Sequence, residues 1–348
     1  MEIDFENIQC RSAFDMACGL PQVLDNNVPS ALPSEPVRLI QLQDVLFLPH
    51  VLEPGTSISL VEERFVPLET VLDPFAVEFL KERRRGNPRY AEIYAGVVTP
   101  EHTAEVACIL GNLFSRNFGH WTEELIKVAI LEASGYPCVY VIPTLPAFAP
   151  AFLELLGVDE SRIRVTDVPT RFRNAVFVSA INHSNVARFP AALELLRSRA
   201  FERIAEPQPR TSAGIWLERG AGVRNTGITL NRDEVYACLE RYDIEVIDMA
   251  VLSLADQLGA MRGTRLIAGP HGAQFVHAQF MPPCSAVVEC FSPVHVNPSI
   301  LGICRALGHT YHQVVARSHM IAPYMHLRDC QVDIEHLELV LDRLLSRR

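Results

Sequence analysis

A histidine set in a run of small residues, with a carboxylate at the end of the next apolar stretch, is the pattern in this chain best suited to chemistry. It lies between Arg265 and Phe291, RLIAGPHGAQFVHAQFMPPCSAVVECF. Leu266-Ile267-Ala268 is a short apolar run closed by Gly269-Pro270, which reads as a buried strand. Phe275, Val276 and Phe280 then recur at helical spacing until Pro282-Pro283 stops them. Ala286-Val287-Val288 makes a second buried strand, with Glu289 near its end. In an open α/β sheet the loop of Pro270, His271, Gly272 and Ala273 falls on the same edge as Glu289, where ligands bind. Free backbone N–H groups at a helix start suit a phosphate. The chemistry implied is nucleotide binding, with phosphates near His271–Ala273 and ribose hydroxyls on Glu289. The plainer alternatives are a histidine capping a strand and a carboxylate paired with an arginine; G-x-H-G alone is a weak motif.

Two further groups join this pattern. Glu218-Arg219-Gly220-Ala221-Gly222-Val223-Arg224-Asn225-Thr226-Gly227 follows an apolar run, so it opens on the same edge. Its glycines let the backbone approach a ligand, and Arg219 and Arg224 can grip phosphate oxygens with paired donors. The alternative is a solvated loop whose arginines meet nearby acids. Towards the N-terminus, Asn112–Gly119 is a loop, and His120-Trp121-Thr122-Glu123-Glu124 opens a helix. The positive end of that helix disfavours protonation, so His120 tends to be neutral and able to accept a proton. His183, in Asn182-His183-Ser184-Asn185, is a second candidate for the same cleft.

The elements that must position these groups alternate along the chain. Residues 1–36 are broken by prolines and read as irregular. Residues 38–42, 45–48 and 57–61 read as an N-terminal β meander, and Pro74 to Arg85 as a short surface helix. Strands at 104–110, 139–142, 163–165 and 175–178 are interleaved with helices from 120 to about 134 and from 151 to 156. A helix at 191–204 runs into Glu206-Pro207-Gln208-Pro209-Arg210, the best linker in the chain. Beyond it come strands at 214–217, 244–247, 266–268, 286–288 and 310–314 with helices between, Ser253 and Gly308 acting as caps. The expectation is an α/β chain with an acceptor-side domain over 37–206, a doubly wound nucleotide-binding domain over 207–330, and a terminal amphipathic helix over 331–348.

Composition narrows the partners. The chain has 348 residues, enough for two domains, and a net charge of −10, which argues against a nucleic-acid surface. An anionic ligand must therefore be held by a few placed arginines and backbone amides. Nine cysteines without a C-x-x-C pair fit reduced thiols in a cytosolic compartment. The acidic start, Met1-Glu2-Ile3-Asp4-Phe5-Glu6, lacks the features of a signal peptide. Cys138 to Val158 is the most apolar long stretch, and Pro143, Pro146, Pro150 and Glu154 break it as a membrane span. A peripheral association with the inner face of the membrane is left open. No D-x-D stands at a strand end, no G-x-G-x-x-G fingerprint or P-loop occurs, and no zinc spacing is present, so no metal site is expected.

The chain resembles the family 61 glycosyltransferases, often described in bacteria as capsular polysaccharide biosynthesis proteins. Asn117-Phe118-Gly119-His120-Trp121 with Glu124 is similar to that family's N-[YF]-x-H-W segment. Arg219 and Arg224-Asn225 resemble its spaced arginines, and Leu252–Gln257 its helix start with Asp256 in place of Glu. Gly269–Ala273, Phe280–Pro283 and Val287-Val288-Glu289 resemble its G-x-HGA…F-x-P-P-G…viE signature. Gln274-Phe275-Val276-His277 and Cys284 depart from it. The resemblance implies a GT-B arrangement: two Rossmann-like α/β domains facing across a cleft, the nucleotide-sugar donor on the C-terminal one and the acceptor on the other. It also implies inverting transfer with no metal or other cofactor required, and a terminal helix crossing back to the N-terminal domain. The donor would be a nucleoside-diphosphate sugar and the acceptor a glycan or lipid-linked sugar of a surface polysaccharide. His120 is then the first choice of base, with Glu124 orienting or replacing it. Arg219, Arg224, Asn225 and the Pro270–Ala273 loop would hold the diphosphate and Glu289 the ribose. Asn117, Trp121 and His183 would line the acceptor side. An epimerase or hydrolase on the same scaffold, a non-catalytic sugar-nucleotide-binding protein, and more distantly a nicotinamide oxidoreductase are the competing expectations.

Overall fold

The computed structural model describes residues 37, 39–49, 57–61, 66–67, 101–111, 118–178, 181, 185–206, 210–219, 228–293, 295–297, 299–316 and 329–346. The expected irregular segment 1–36 and the helix at 74–85 lie outside the described residues. The chain divides into two compact units, with the division near residue 183.

The first unit holds a seven-stranded sheet. Its strands are β1 (Leu39–Pro49), β2 (Ser57–Val61), β3 (Val66–Pro67), β4 (Glu101–Ile109), β5 (Val139–Ile142), β6 (Ile163–Val165) and β7 (Thr170–Val178). Their order is β3-β2-β1-β7-β4-β5-β6. β4 to β7 are mutually parallel where they pair, and β1 runs antiparallel to both β2 and β7. β1 is one strand where the sequence suggested two. Asp44 takes φ 53, the left-handed region that aspartate tolerates, so the turn-like Gln43-Asp44 is crossed with pairing to β7 intact on either side. Val45, Phe47, Ala107, Ile109, Val141, Phe172 and Ala175 interlock over one face of the sheet. Helices α1 (Phe118–Ser134) and α2 (Ala149–Leu155) belong to this unit. Trp121, Leu125, Val128 and Ala129 bury the apolar stripe of α1, and Gly135, at φ 65, ends that helix in the left-handed turn glycine favours.

The second unit is a doubly wound α/β layer. Its strands are β8 (Gly214–Glu218), β9 (Ile244–Asp248), β10 (Leu266–Pro270), β11 (Ala286–Phe291) and β12 (Thr310–Val315), all parallel, in the order β12-β11-β10-β8-β9. The order reverses between β8 and β10, and a crevice outside the carboxyl ends of those strands is where such sheets bind ligands. Its helices are α3 (Pro190–Glu202), α4 (Arg232–Arg241), α5 (Leu254–Arg262), α6 (Leu301–Leu307) and α7 (Ile334–Leu345). Ser253 accepts from the Asp256 N–H as the N-cap of α5, and Gly308, left-handed at φ 68, ends α6.

Three expectations are corrected here. The sequence places helix α3 in the first domain, with the boundary at Glu206–Arg210. Instead its Arg197 donates to the Met281 carbonyl at 2.7 Å and its Phe201 meets Phe280, so α3 belongs to the second unit. The terminal helix α7 was expected to cross back to the first domain. Leu337, Val340 and Leu341 are instead buried with Val235, Leu239 and Val314 in the second unit's own core. Finally, the segment after His271 is a 3₁₀ helix, Ala273–Phe280, rather than an α-helix. Phe275 to Phe280 are all buried, and the tighter coil sets apolar side chains on every side between α3, α5 and α6.

Candidate functional site

Arg219, His271 and Glu289 come together at the carboxyl edge of the second sheet. β8 ends at Glu218, β10 at Pro270, and β11 carries Glu289 in register with Gly269. The two strands flanking the reversal point pass very close. A Cβ on Gly269, which has φ 157, would lie 2.7 Å from the Leu217 carbonyl oxygen, so no other residue fits. The Gln274 amide donates to that same oxygen at 2.9 Å and ties the His271 loop to the end of β8. Gly272 serves a second close approach: a Cβ there would meet Arg219 Cζ and a terminal nitrogen at 3.2 Å. The guanidinium of Arg219 therefore packs against Gly272, one residue from the histidine.

Beneath the loop, Glu289 is fully buried. One carboxylate oxygen lies 2.8 Å from His271 Nδ1, and the other accepts the Tyr311 hydroxyl at 2.6 Å. Burial first, and then the neighbouring Glu289, push the Tyr311 phenol well above its usual range, so it stays a donor. The His271 ring stacks on Phe291 with centroids 4.9 Å apart, and His295 stands 5.8 Å away on the turn that leaves β11. Backbone pairing fixes the loop as well: the His271 N–H donates to the Cys290 carbonyl at 2.9 Å. Glu289 therefore does not have the ribose-binding geometry expected of it. Each oxygen has a partner inside the protein, and the buried carboxylate supports His271 from below.

A second buried carboxylate marks the end of β8. Glu218 accepts from the Trp216 indole at 3.2 Å, the Tyr236 hydroxyl at 3.1 Å, the Arg219 N–H at 3.1 Å and Arg232 at 3.3 Å. These four donors fix the point where Arg219 leaves the sheet. Arg224 and Asn225, expected beside it, lie outside the described residues.

The segment that departs from the resemblance is structural. His309 Nδ1 accepts from the Ser285 N–H and its Nε2 donates to the Ala278 carbonyl, a pattern that only the neutral ring satisfies. Burial lowers its pKa to about 4. His277 is also buried and lowered to about 4, between the Gln274 carbonyl and the Gln257 amide oxygen.

On the first unit, His120 lies in the opening turn of α1, one-quarter exposed, with Nδ1 3.5 Å from Glu123. Glu124, expected to orient it, is buried and accepts Lys127 at 2.8 Å; the carboxylate facing the ring is that of Glu123. Trp121 is fully buried beside Phe148, so it serves the core rather than an open surface. Asn117 and His183 lie outside the described residues. Among the described residues no cluster of three His, Cys, Asp or Glu side chains could hold a metal ion, and no helix is long and apolar enough to cross a membrane.

Tyr311, Glu218, Phe291 and His295 are site residues that sequence reasoning missed. Only the rule that a buried carboxylate needs donors pointed to Tyr311, without naming it; nothing in the sequence pointed to the other three.

Residues 118–288 match the family model described as Glycosyltransferase 61. The match opens at the α1 turn bearing His120 and closes one residue before Glu289. An EGF domain-specific O-linked N-acetylglucosamine transferase of Drosophila melanogaster is 30% identical over 112 residues, 31% of this chain. The matched stretch spans 21% of that relative's length.

Proposed function

Because residues 118–288 match the family model described as Glycosyltransferase 61, we propose that the chain transfers a sugar from a nucleoside-diphosphate sugar to a glycan or lipid-linked acceptor. The observation that carries this reading is the Arg219 guanidinium lying on Gly272 beside His271, at the reversal point of a doubly wound sheet. A cation and a histidine over a glycine backbone suit a diphosphate leaving group, whose developing charge they would neutralise in place of a metal. In the GT-B plan the second unit takes the donor and the first the acceptor. Transfer is inverting, with His120 as the base that receives the acceptor proton. Assembly of a surface polysaccharide at the cytoplasmic face of the membrane is the setting proposed.

The test combines calorimetry with product analysis. Nucleoside diphosphates and their sugars are titrated with and without chelator, and products are then followed with and without acceptor. Binding that survives chelation and transfer that needs acceptor are expected. Turnover without acceptor would indicate an epimerase or hydrolase, and binding without any turnover a non-catalytic sugar-nucleotide protein. Arg219→Ala should weaken donor binding by roughly 1–3 kcal/mol, the worth of a hydrogen bond to a charged group. An unchanged dissociation constant would remove Arg219 from the site. The Drosophila relative's name favours one second reading, an N-acetylglucosamine donor with a protein hydroxyl as acceptor; a peptide acceptor assayed beside the glycans separates the two.

A further inference from the structure

We infer that a diphosphate binds this site together with one proton, taken up from solvent by the His271–Glu289 pair, and that Tyr311 is the positioning residue of that pair. The inference rests on the nucleotide-sugar reading above. Glu289 faces His271 Nδ1 at 2.8 Å from a fully buried position, and Nε2, across the ring, makes no hydrogen bond to any described residue. If the pair holds no proton beyond that of the neutral ring, Nδ1 must donate to the carboxylate, and Nε2 presents a lone pair. A lone pair repels a phosphate oxygen. Once the pair gains a proton, Nε2–H becomes a donor. This holds whether the charge sits as imidazolium over carboxylate or the carboxyl keeps the hydrogen and donates it to Nδ1. The phosphate therefore selects the protonated pair. No bond other than N–H or O–H is made, and the proton comes from water or buffer.

The surroundings fit that role. Tyr311 donates to the second Glu289 oxygen at 2.6 Å, which keeps the carboxyl group aimed at the ring; Gln313 in turn donates to the Tyr311 oxygen at 3.5 Å. Among the described residues, the other titratable groups facing the pair are Arg219 across Gly272, His295 at 5.8 Å, and the Cys290 and Cys304 thiols. Burial pushes both thiols well above their usual range, so they stay neutral. A diphosphate brings the negative charge that makes the added proton favourable beside Arg219.

The experiment is calorimetry of UDP and GDP on the whole chain at pH 8, in buffers of different ionisation enthalpy. At that pH the terminal phosphate is already ionised, its second pKa lying near about 6. The expected result is a net uptake of protons on binding and an affinity that falls as pH rises. In His271→Gln, which keeps an amide donor without a titrating ring, nucleotide affinity should fall and the binding that remains should show neither proton uptake nor a pH slope. Tyr311→Phe removes the second donor to Glu289, and the pH dependence of nucleotide affinity should change with it. A purely structural Tyr311 would lower the melting temperature and leave that profile in place. Binding by the native chain without proton uptake, or uptake retained in His271→Gln, overturns the inference and leaves the glycosyltransferase reading standing. Failure of both nucleotides and their sugars to bind at any pH removes the reading and the inference together.

Discussion

Both units present a histidine beside a glycine where the chain turns into a helix, yet the two are supported in different ways. His271 is gripped by a buried carboxylate that has a second donor, stacks on Phe291, and sits on a loop tied to the neighbouring strand by Gln274. His120 has a partly exposed carboxylate 3.5 Å away on its own helix, and the buried one next along, Glu124, accepts a lysine. A ring held on three sides is preorganised to meet a fixed charge, and its cost was met in folding. A ring one-quarter exposed in the opening turn of a helix, with its carboxylate contact at 3.5 Å, is placed to meet a hydroxyl from solvent and take its proton. The difference argues for binding at the first histidine and proton transfer at the second.

The largest expected effect tests the second half of that contrast. His120→Ala should lower turnover by roughly 10²–10⁴-fold, the usual contribution of a general base, with donor affinity retained in calorimetry. Full activity would end its role as base. Glu289→Leu tests the first half: it strands the Tyr311 hydroxyl and the His271 nitrogen, and should cost about 3 kcal/mol in denaturant unfolding. A smaller loss, with nucleotide binding intact, would mean that His271 stands without support. Next comes an acid limb for the second unit. His309 is neutral when folded, at about 4, and titrates near its ordinary value when unfolded, so the unfolded chain binds its proton first as pH falls. Stability is therefore full above about pH 6.5 and lost towards pH 4, on the order of 3 kcal/mol for this ring. Unfolding of His309→Gln followed against pH should show a flatter limb. The smallest effect belongs to Gly272→Ala. The guanidinium tip can shift to admit the methyl, so nucleotide affinity should fall a few-fold, under about 1 kcal/mol, with melting almost unchanged.

Much of the second unit was legible because its strands are short apolar runs and parallel βα units put every strand's carboxyl end on one edge. That geometry alone was enough to gather Arg219, His271 and Glu289. Depth was not legible: Val287-Val288-Glu289 looks the same whether the acid faces a ligand or lies buried, and it lies buried. Tyr311 was missed because it reaches Glu289 across β11 and β12 in a register that no local pattern encodes. In the first unit, a single left-handed aspartate disguised one long strand as two. Glu206–Arg210 looked like the natural break, but the contacts of Arg197 and Phe201, made eighty residues away in sequence, carry α3 to the other side of it.

Gly269 touches no ligand in any of these proposals, yet the 2.7 Å approach to Leu217 leaves space there for a hydrogen and nothing more. A saturation library selected for activity would mark this position as strictly as His271. Purified variants would tell them apart: replacing the histidine yields a folded but silent protein, whereas any side chain at the glycine wedges apart the seam between β8 and β10 and softens the whole layer.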